Sequence, residues 1–80
     1  MSENVDKQAR EVIYKDIGDA IRARRKLLRM SQEDVAFTLG FPQNVLSKIE
    51  LGKNSNVGSY LGRLEKHLEF KDSELSSLLK

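Results

Sequence analysis

The chain contains no cysteine, which excludes disulfides and thiol chemistry and favours a reducing compartment. Its one histidine, His67, stands in a charged run without a second histidine, so we expect no metal site. No apolar run approaches the roughly 18 to 20 residues that a membrane span needs, and the N-terminal residues lack a signal-peptide core. We therefore expect a cytoplasmic protein that makes no membrane contact and uses no cofactor.

Patterns that carry catalysis are missing as well. The sequence has no Gly-rich phosphate-binding loop. Its serines have no histidine and carboxylate at suitable positions in the chain for a nucleophilic triad. The aspartates and glutamates mostly stand where helix caps or exposed helix faces are expected. These absences predict a protein that is not an enzyme.

The 80 residues are enough for one small domain, whose core is marginal unless tight helix packing or a partner subunit adds stability. The net charge of +2 says little about partners, but its distribution says more. Between residues 22 and 29 there is no acid and there are five cations: Arg22, Arg24, Arg25, Lys26 and Arg29. This run is either a phosphate-facing patch or a solvated helix face.

Residues 25–53 have the pattern of two short amphipathic helices joined by a tight turn. Ser31 is a good N-cap, and Asp34 three residues later completes a capping-box-like pattern. Gly40 and Gly52 are placed to end the first and second helix. The apolar faces comprise Val35, Ala36 and Leu39 on the first helix and Val45, Leu46 and Ile49 on the second. This arrangement is typical of a helix-turn-helix.

Apolar residues also recur at roughly helical spacing from Val5 to Leu28, which fits one long helix or two pieces. We favour a helix over about 17–28, capped by Asp16, after a separate helical turn or arm. Gly18 lowers the helix propensity there by roughly 1 kcal/mol relative to Ala. Three apolar residues before it are expected to pack on the domain or on a second subunit: Val12, Ile13 and Tyr14.

After the motif, a polar loop over residues 53–56 is followed by a fourth helix that Ser55 or Asn56 caps. Its inner face comprises Tyr60, Leu61, Leu64 and Leu68. Gly58 is expected in its first turn, and Gly62 where a neighbouring backbone approaches closely. Asp72 or Ser73 caps a last short helix, which carries Leu75, Leu78 and Leu79. The predicted fold is all-α, with five helices in residues 17–80 and an N-terminal extension, helical or not, in residues 1–16.

The segment from Ile17 to about Leu79, roughly four-fifths of the chain, resembles the Cro/C1-type (XRE) helix-turn-helix family. The matching residues are IGDAIRARRKLLRMSQEDVAFTLGFPQNVLSKIELGK, most sharply SQEDVA, the Gly40 turn and LSKIELGK. The resemblance implies a compact lambda-repressor-like DNA-binding domain. In that family the second helix of the motif enters the DNA major groove, and the first lies across the backbone.

Carried onto this chain, the resemblance implies a recognition helix from about Pro42 to Glu50. Its base-reading candidates are Gln43, Asn44, Ser47 and Lys48, with Val45 divided between the core and a thymine methyl. Phosphate contacts are implied for Gln32 before it and for Lys53, Asn54 and Ser55 after it. Pro42 stands where the family usually has a Ser or Thr cap. Because proline suits the first helical position, a helix that starts one residue away from the family register is a second option.

The resemblance also implies a buried ion pair between Arg25 and Glu50, both then structural rather than DNA-reading. Removing one partner of such a pair costs roughly 3 to 5 kcal/mol. The other four cations of the 22–29 run, Arg22, Arg24, Lys26 and Arg29, remain candidate phosphate neighbours.

The implied function is sequence-specific binding of double-stranded DNA, most simply as a repressor that occupies an operator, with a small activator as another option. Family members pair, so we expect a homodimer. The interface candidates are Phe70, Leu75, Leu78 and Leu79, with Val12, Ile13 and Tyr14 as the alternative surface, although these residues can instead close the core. A rival function is an antitoxin that holds a toxin, a partner protein, through the N-terminal extension and autoregulates its promoter. A restriction-modification controller or a phage repressor fits the size equally well.

Overall fold

Helix α1 is the longest element and runs without a break over Ser2–Leu27. The computed structural model describes residues 2–79, and it describes the side chains of residues 9–79. Within this range α1 is followed by α2 (Gln32–Leu39), α3 (Gln43–Glu50), α4 (Gly58–His67) and a 3-10 turn (Ser76–Leu79). Residues 2–79 contain no strand, and the all-α prediction is confirmed. Among them, no helix combines the length and the apolar character that crossing a membrane requires.

The preference for a helix over 17–28 with a separate preceding piece is wrong, because α1 passes through Asp16 and Gly18 uninterrupted. The glycine is used for packing instead. A Cβ on Gly18 would touch the carbonyl oxygen of Ile49 and stand 2.7 Å from that of Glu50, so α3 lies directly against α1 here. The boundary predicted between residues 16 and 17 therefore falls inside a helix, and the side chain of Val5 lies outside the described part.

Helix α2 begins and ends as the sequence predicts. The Ser31 hydroxyl accepts a hydrogen bond from the backbone N–H of Asp34 at 3.0 Å, which is the expected N-cap. Gly40 ends the helix with φ of 81°, a left-handed conformation that glycine adopts at low cost. Its N–H and that of Phe41 both donate to the carbonyl of Ala36, so the last turn of α2 is closed.

Helix α3 begins at Gln43, with Pro42 as its N-cap and without a side-chain cap. Pro42 therefore takes the cap position rather than the first helical position, and the option of a shifted start is not realised. The helix ends in a Schellman motif, in which Lys53 N–H donates to Lys48 O at 2.9 Å and Gly52 N–H to Ile49 O at 3.0 Å. Gly52 holds φ at 73° in this turn.

A single apolar core joins the helices, with α3 packed against both α1 and α2. It is formed by buried apolar side chains from every helix and from the segments between them: Ile17, Ile21, Val35, Ala36, Phe41, Leu46, Ile49, Val57, Leu61, Leu64, Leu68 and Leu75. The predicted inner residues Leu39, Val45 and Tyr60 are half-buried at its edge. Phe41 and Tyr60 meet edge to face, with ring centroids 5.0 Å apart.

Three predictions for the C-terminal half are wrong. Helix α4 has Val57 as its N-cap and no side-chain cap from Ser55 or Asn56, although it begins at Gly58 as expected. A Cβ on Gly62 would meet nothing within 4 Å, so no backbone approaches there. The predicted last helix is only a 3-10 turn. Glu65 of α4 holds the start of this turn, because its Oε2 accepts the backbone N–H of Leu75 at 2.6 Å and that of Ser76 at 3.0 Å.

Candidate nucleic-acid interface

Helix α3 turns one polar face to solvent and one apolar face to the core. Leu46 and Ile49 are fully buried, which fixes the rotation of the helix about its axis. Gln43, Asn44 and Lys48 are consequently exposed. Val45 and Ser47 lie between the two faces and are half-buried. The five side chains that the family resemblance implies as base readers thus form the outer and lateral surface of one short helix.

A buried ion pair ties this helix to α1. Arg25 Nε donates to Glu50 Oε2 at 2.7 Å, and Arg25 Nη2 donates to Glu50 Oε1 at 3.0 Å, so the pair is bidentate. The remaining guanidinium nitrogen, Nη1, donates to the carbonyl oxygen of Met30 at 2.9 Å. Arg25 therefore joins the end of α1, the following turn and α3 at one point.

Gln32 extends this network from the core to the surface. Its Nε2 donates to Glu50 Oε1 at 2.9 Å, and its Oε1 faces Gln43 Nε2 at 3.5 Å. The side chain of Gln32 thus links the buried carboxylate to the first residue of α3. Because both ends of its amide are engaged, Gln32 orients the side chain of Gln43. Gln32 also stands at the start of α2, where the family resemblance implies a phosphate contact.

The loop that follows α3 carries further polar groups. Lys53 and Ser55 are exposed. Asn54 is half-buried, and its Oδ1 accepts the backbone N–H of Asn56 at 2.8 Å, which shapes the loop as an Asx turn. The Nδ2 group of Asn54 is the part left to donate to a phosphate.

The basic run of residues 22–29 divides by structure. Arg24 donates to the carbonyl oxygens of Leu68 at 3.0 Å and Glu69 at 2.8 Å, and its guanidinium lies 4.3 Å from the centre of the Phe70 ring. It therefore caps the end of α4, a structural role that the sequence did not indicate. Arg22 is exposed beside a shallow groove of about 210 Å³ that Gln32 and Ser47 also line. Lys26 and Arg29 are exposed on the last turn of α1 and just beyond it.

Sequence reasoning named Gly18 and Gly52 but missed their role in packing α1 against α3, and it missed Arg63 altogether. Gly18 and Gly52 allow α1 to lie against the end of α3, and the only signal for Gly18 was a helix-disfavouring residue inside an apolar pattern. Arg63 donates to the carbonyl of Leu39 at 2.9 Å, which closes the end of α2, and its guanidinium lies 5.4 Å from the centre of the Phe41 ring.

The candidate dimer residues do not share one environment. Leu75 is 3% exposed and belongs to the core of its own chain. Phe70 is half-buried beneath Arg24. Leu78 and Leu79 are 47% and 37% exposed, so they present the apolar surface of this set. Of the alternative set, Ile13 and Tyr14 pack partly on the core while Val12 faces solvent.

Comparison with known proteins agrees with this geometry. A family model described as helix-turn-helix matches residues 21–74, about two-thirds of the chain. The match begins within α1 and includes α2, α3 and α4. No curated protein and no solved structure matches the chain. On the family match, and with the helix-turn-helix geometry in place, the chain belongs to the Cro/C1-type helix-turn-helix family of DNA-binding transcriptional regulators.

Proposed function

We propose that the protein is a repressor that binds a two-fold symmetric operator as a homodimer. The observation that carries the proposal is the outward face of α3, where Gln43, Asn44 and Lys48 are exposed on a helix anchored by the pair of Arg25 and Glu50. A rigid helix with this polar face fits the major groove, whose width admits one α-helix.

The side chains on this face have the chemistry of base readers. Gln43 and Asn44 each present an amide that can bond both N6 and N7 of adenine, and Lys48 can donate to O6 and N7 of guanine. Ser47 and Val45, at the sides of the helix, suit a base edge and a thymine methyl. Phosphate contacts then come from the two flanks of α3: Gln32, Lys53, Asn54 and Ser55.

A homodimer is proposed because one short helix reads only a few base pairs. Two copies place their recognition helices in successive major grooves, about 34 Å apart. The apolar surface for pairing is the patch of Leu78 and Leu79. Leu79 also lines a groove of about 370 Å³ together with Ile13 and Tyr14, so the two surfaces considered from sequence border each other. A dimer seated on its operator blocks polymerase by occupying the site, which is the basis for proposing a repressor.

Selection of bound duplexes from a random pool tests this function. The proposal expects a motif with two-fold symmetry whose half-sites are centred about one helical turn apart. Leu78→Asp should abolish the symmetric motif and shift the protein from dimer to monomer in sedimentation, while the matched exposed change Leu27→Asp should do neither. If the protein retains no duplex at low salt, the proposal of DNA binding is contradicted. If the Leu78→Asp variant stays dimeric, the proposed dimer patch is contradicted.

An antitoxin is the second candidate function. The observation that favours it is that large apolar side chains are exposed away from the outward face of α3 and from the patch of Leu78 and Leu79, among them Phe37, 86% exposed, and Val12, 60% exposed. Co-expression with the product of the adjacent gene should then yield a stoichiometric complex that Phe37→Ser or Val12→Ser weakens. Separate elution of the two proteins removes this candidate and leaves the repressor.

A further inference from the structure

A groove of the described surface lies between α1 and the turn that follows α3, outside the helix-turn-helix. It has a volume of about 630 Å³ and runs along the first half of α1. Arg10, Tyr14 and Lys15 line it from α1, and Leu51, Lys53 and Ser55 from the turn. Lys53 and Ser55 are residues for which we propose phosphate contacts, so the groove continues the proposed DNA-binding face.

The two walls of this groove are held at a fixed separation. Gly52, with φ of 73°, lies where a Cβ would stand 2.7 Å from Lys15 Cα and 2.9 Å from Lys15 N. The turn after α3 therefore rests on the main chain of α1. Since α1 is one continuous helix, Arg10 has a fixed position relative to Lys15, slightly more than one helical turn away.

The charges around the groove favour a polyanion. Three cations line it, namely Arg10, Lys15 and Lys53, against the single acid Glu11. All three cations are exposed. Lys15 lies 3.3 Å from Asp19, but this exposed pair is weak and leaves the ammonium free to turn toward a phosphate. Tyr14 and Leu51 supply apolar surface between the cations, which suits the sugar faces that alternate with phosphates along a strand.

We propose that this groove is a second contact with the DNA backbone, in which Arg10 and Lys15 bind phosphates beyond those that the turn after α3 reaches. The proposal rests on the proposed function, because Lys53 must face DNA for the groove to do so. Residues 10 and 15 lie outside the stretch that the family model matches, residues 21–74, so the family match does not by itself imply this contact. It adds affinity without adding sequence preference, since phosphates carry no base information.

Salt dependence measures such contacts directly. Each phosphate neutralised adds roughly 0.9 to the negative slope of log affinity against log salt on duplex DNA. The double variant Arg10→Gln, Lys15→Gln should therefore lower the slope by roughly 0.9 for each phosphate that a bound protomer no longer neutralises. Affinity for the selected operator and for a scrambled duplex should fall by the same factor, and the selected motif should not change.

Two controls separate the groove from bulk charge and from folding. Lys66→Gln, Lys71→Gln removes the same charge from exposed positions on α4 and after it, outside the groove, and should leave the slope near the wild-type value. Arg10→Lys, Lys15→Arg keeps both charges and should restore the wild-type slope. Thermal unfolding followed by circular dichroism should show that all three variants remain folded.

Several results would overturn the proposal. They are an unchanged slope in Arg10→Gln, Lys15→Gln, an equal fall in the Lys66 and Lys71 control, or a change in oligomeric state in place of a change in slope. The last outcome assigns the groove to protein contact. If the groove variant leaves the slope unchanged while Lys53→Gln lowers it, the groove alone fails. If wild-type protein binds no duplex, the proposed function fails with it.

Discussion

Gly18 of α1 lies directly against Glu50 at the end of α3, where a Cβ would stand 2.7 Å from the Glu50 carbonyl oxygen. The same two segments meet again where Gly52 faces Lys15. Both contacts are made with main-chain atoms, which cannot swing aside as a side chain can. The position of α3 therefore depends on α1, and the ion pair of Arg25 and Glu50 fixes the same junction about two helical turns further along α1.

Replacing Gly18 by Ala should force α1 and α3 apart. We expect Gly18→Ala to lower the free energy of unfolding by about 1–3 kcal/mol, as overpacking of a tight contact does. In a domain of this size each kcal/mol corresponds to a shift in Tm of about 4–8 °C. The control is Gly62→Ala on α4, where a Cβ meets nothing within 4 Å. It should raise stability by about 0.5–1 kcal/mol through helix propensity. Equal effects of the two changes would contradict the account.

The ion pair of Arg25 and Glu50 should show strong coupling. Arg25→Met and Glu50→Leu should each cost about 3–5 kcal/mol in urea unfolding, because each leaves the other charge buried without its partner. The free energy of unfolding of the double variant should fall by less than the sum of the two single decreases, since no unpaired charge remains. The exposed pair of Lys15 and Asp19 serves as the control, with a coupling of about 0.5 kcal/mol or less. Additive losses at Arg25 and Glu50 would show that the pair does not act as a unit.

Glu65 should hold the C-terminal segment in place. Its carboxylate accepts the backbone N–H groups of Leu75 and Ser76, and the residue is buried. Glu65→Ala leaves these donors without a partner and should cost about 1–3 kcal/mol. Glu65→Gln keeps one acceptor oxygen and should cost less. Hydrogen exchange at the Leu75 and Ser76 amides is the measurement, and protection that survives Glu65→Ala would contradict this role.

Glu69 follows α4 with φ of 64°, a left-handed conformation that costs a side-chain-bearing residue roughly 1–2 kcal/mol. Glu69→Gly removes that strain, but glycine also makes the unfolded chain more flexible, which offsets part of the stabilisation. We therefore expect a net rise in the free energy of unfolding of up to about 1 kcal/mol. The Arg24 contact is made with the main-chain oxygen of residue 69 and should persist. Lys66→Gly, within α4, is the control and should lower stability by about 1 kcal/mol. A fall in Tm with Glu69→Gly would contradict the claim that the backbone of Glu69 is strained.

The motif itself could be predicted because its signals are local. Ser31 caps its own helix through a bond to a residue three positions later, and Gly40 ends that helix through its own φ. The apolar stripes of α2, α3 and α4 follow helical periodicity, and most of their residues are buried. These features depend on neighbours in sequence, so the order of the residues was enough to predict them.

The features that could not be predicted depend on partners far away in the chain. Gly18 and Gly62 look alike in sequence, yet only Gly18 meets a neighbouring backbone. Arg24 resembles a phosphate ligand in sequence, whereas the fold places two carbonyl oxygens at the end of α4 beside it. The C-terminal segment forms only a 3-10 turn because a helix so short is marginal alone, and Glu65 takes two of its N–H groups.

The proposed function depends most on the register of α3, and the DNA motif that the Gln43→Ala variant selects tests that register most directly. Selection and titration of this variant beside Lys53→Ala should separate the two proposed kinds of contact. Gln43→Ala should lose preference at one position of each half-site, by about 1–3 kcal/mol, with the salt slope unchanged. Lys53→Ala should weaken all duplexes alike and lower the slope by roughly 0.9 for each protomer. A Gln43→Ala protein that selects the wild-type motif would contradict the proposal that this face of α3 reads DNA.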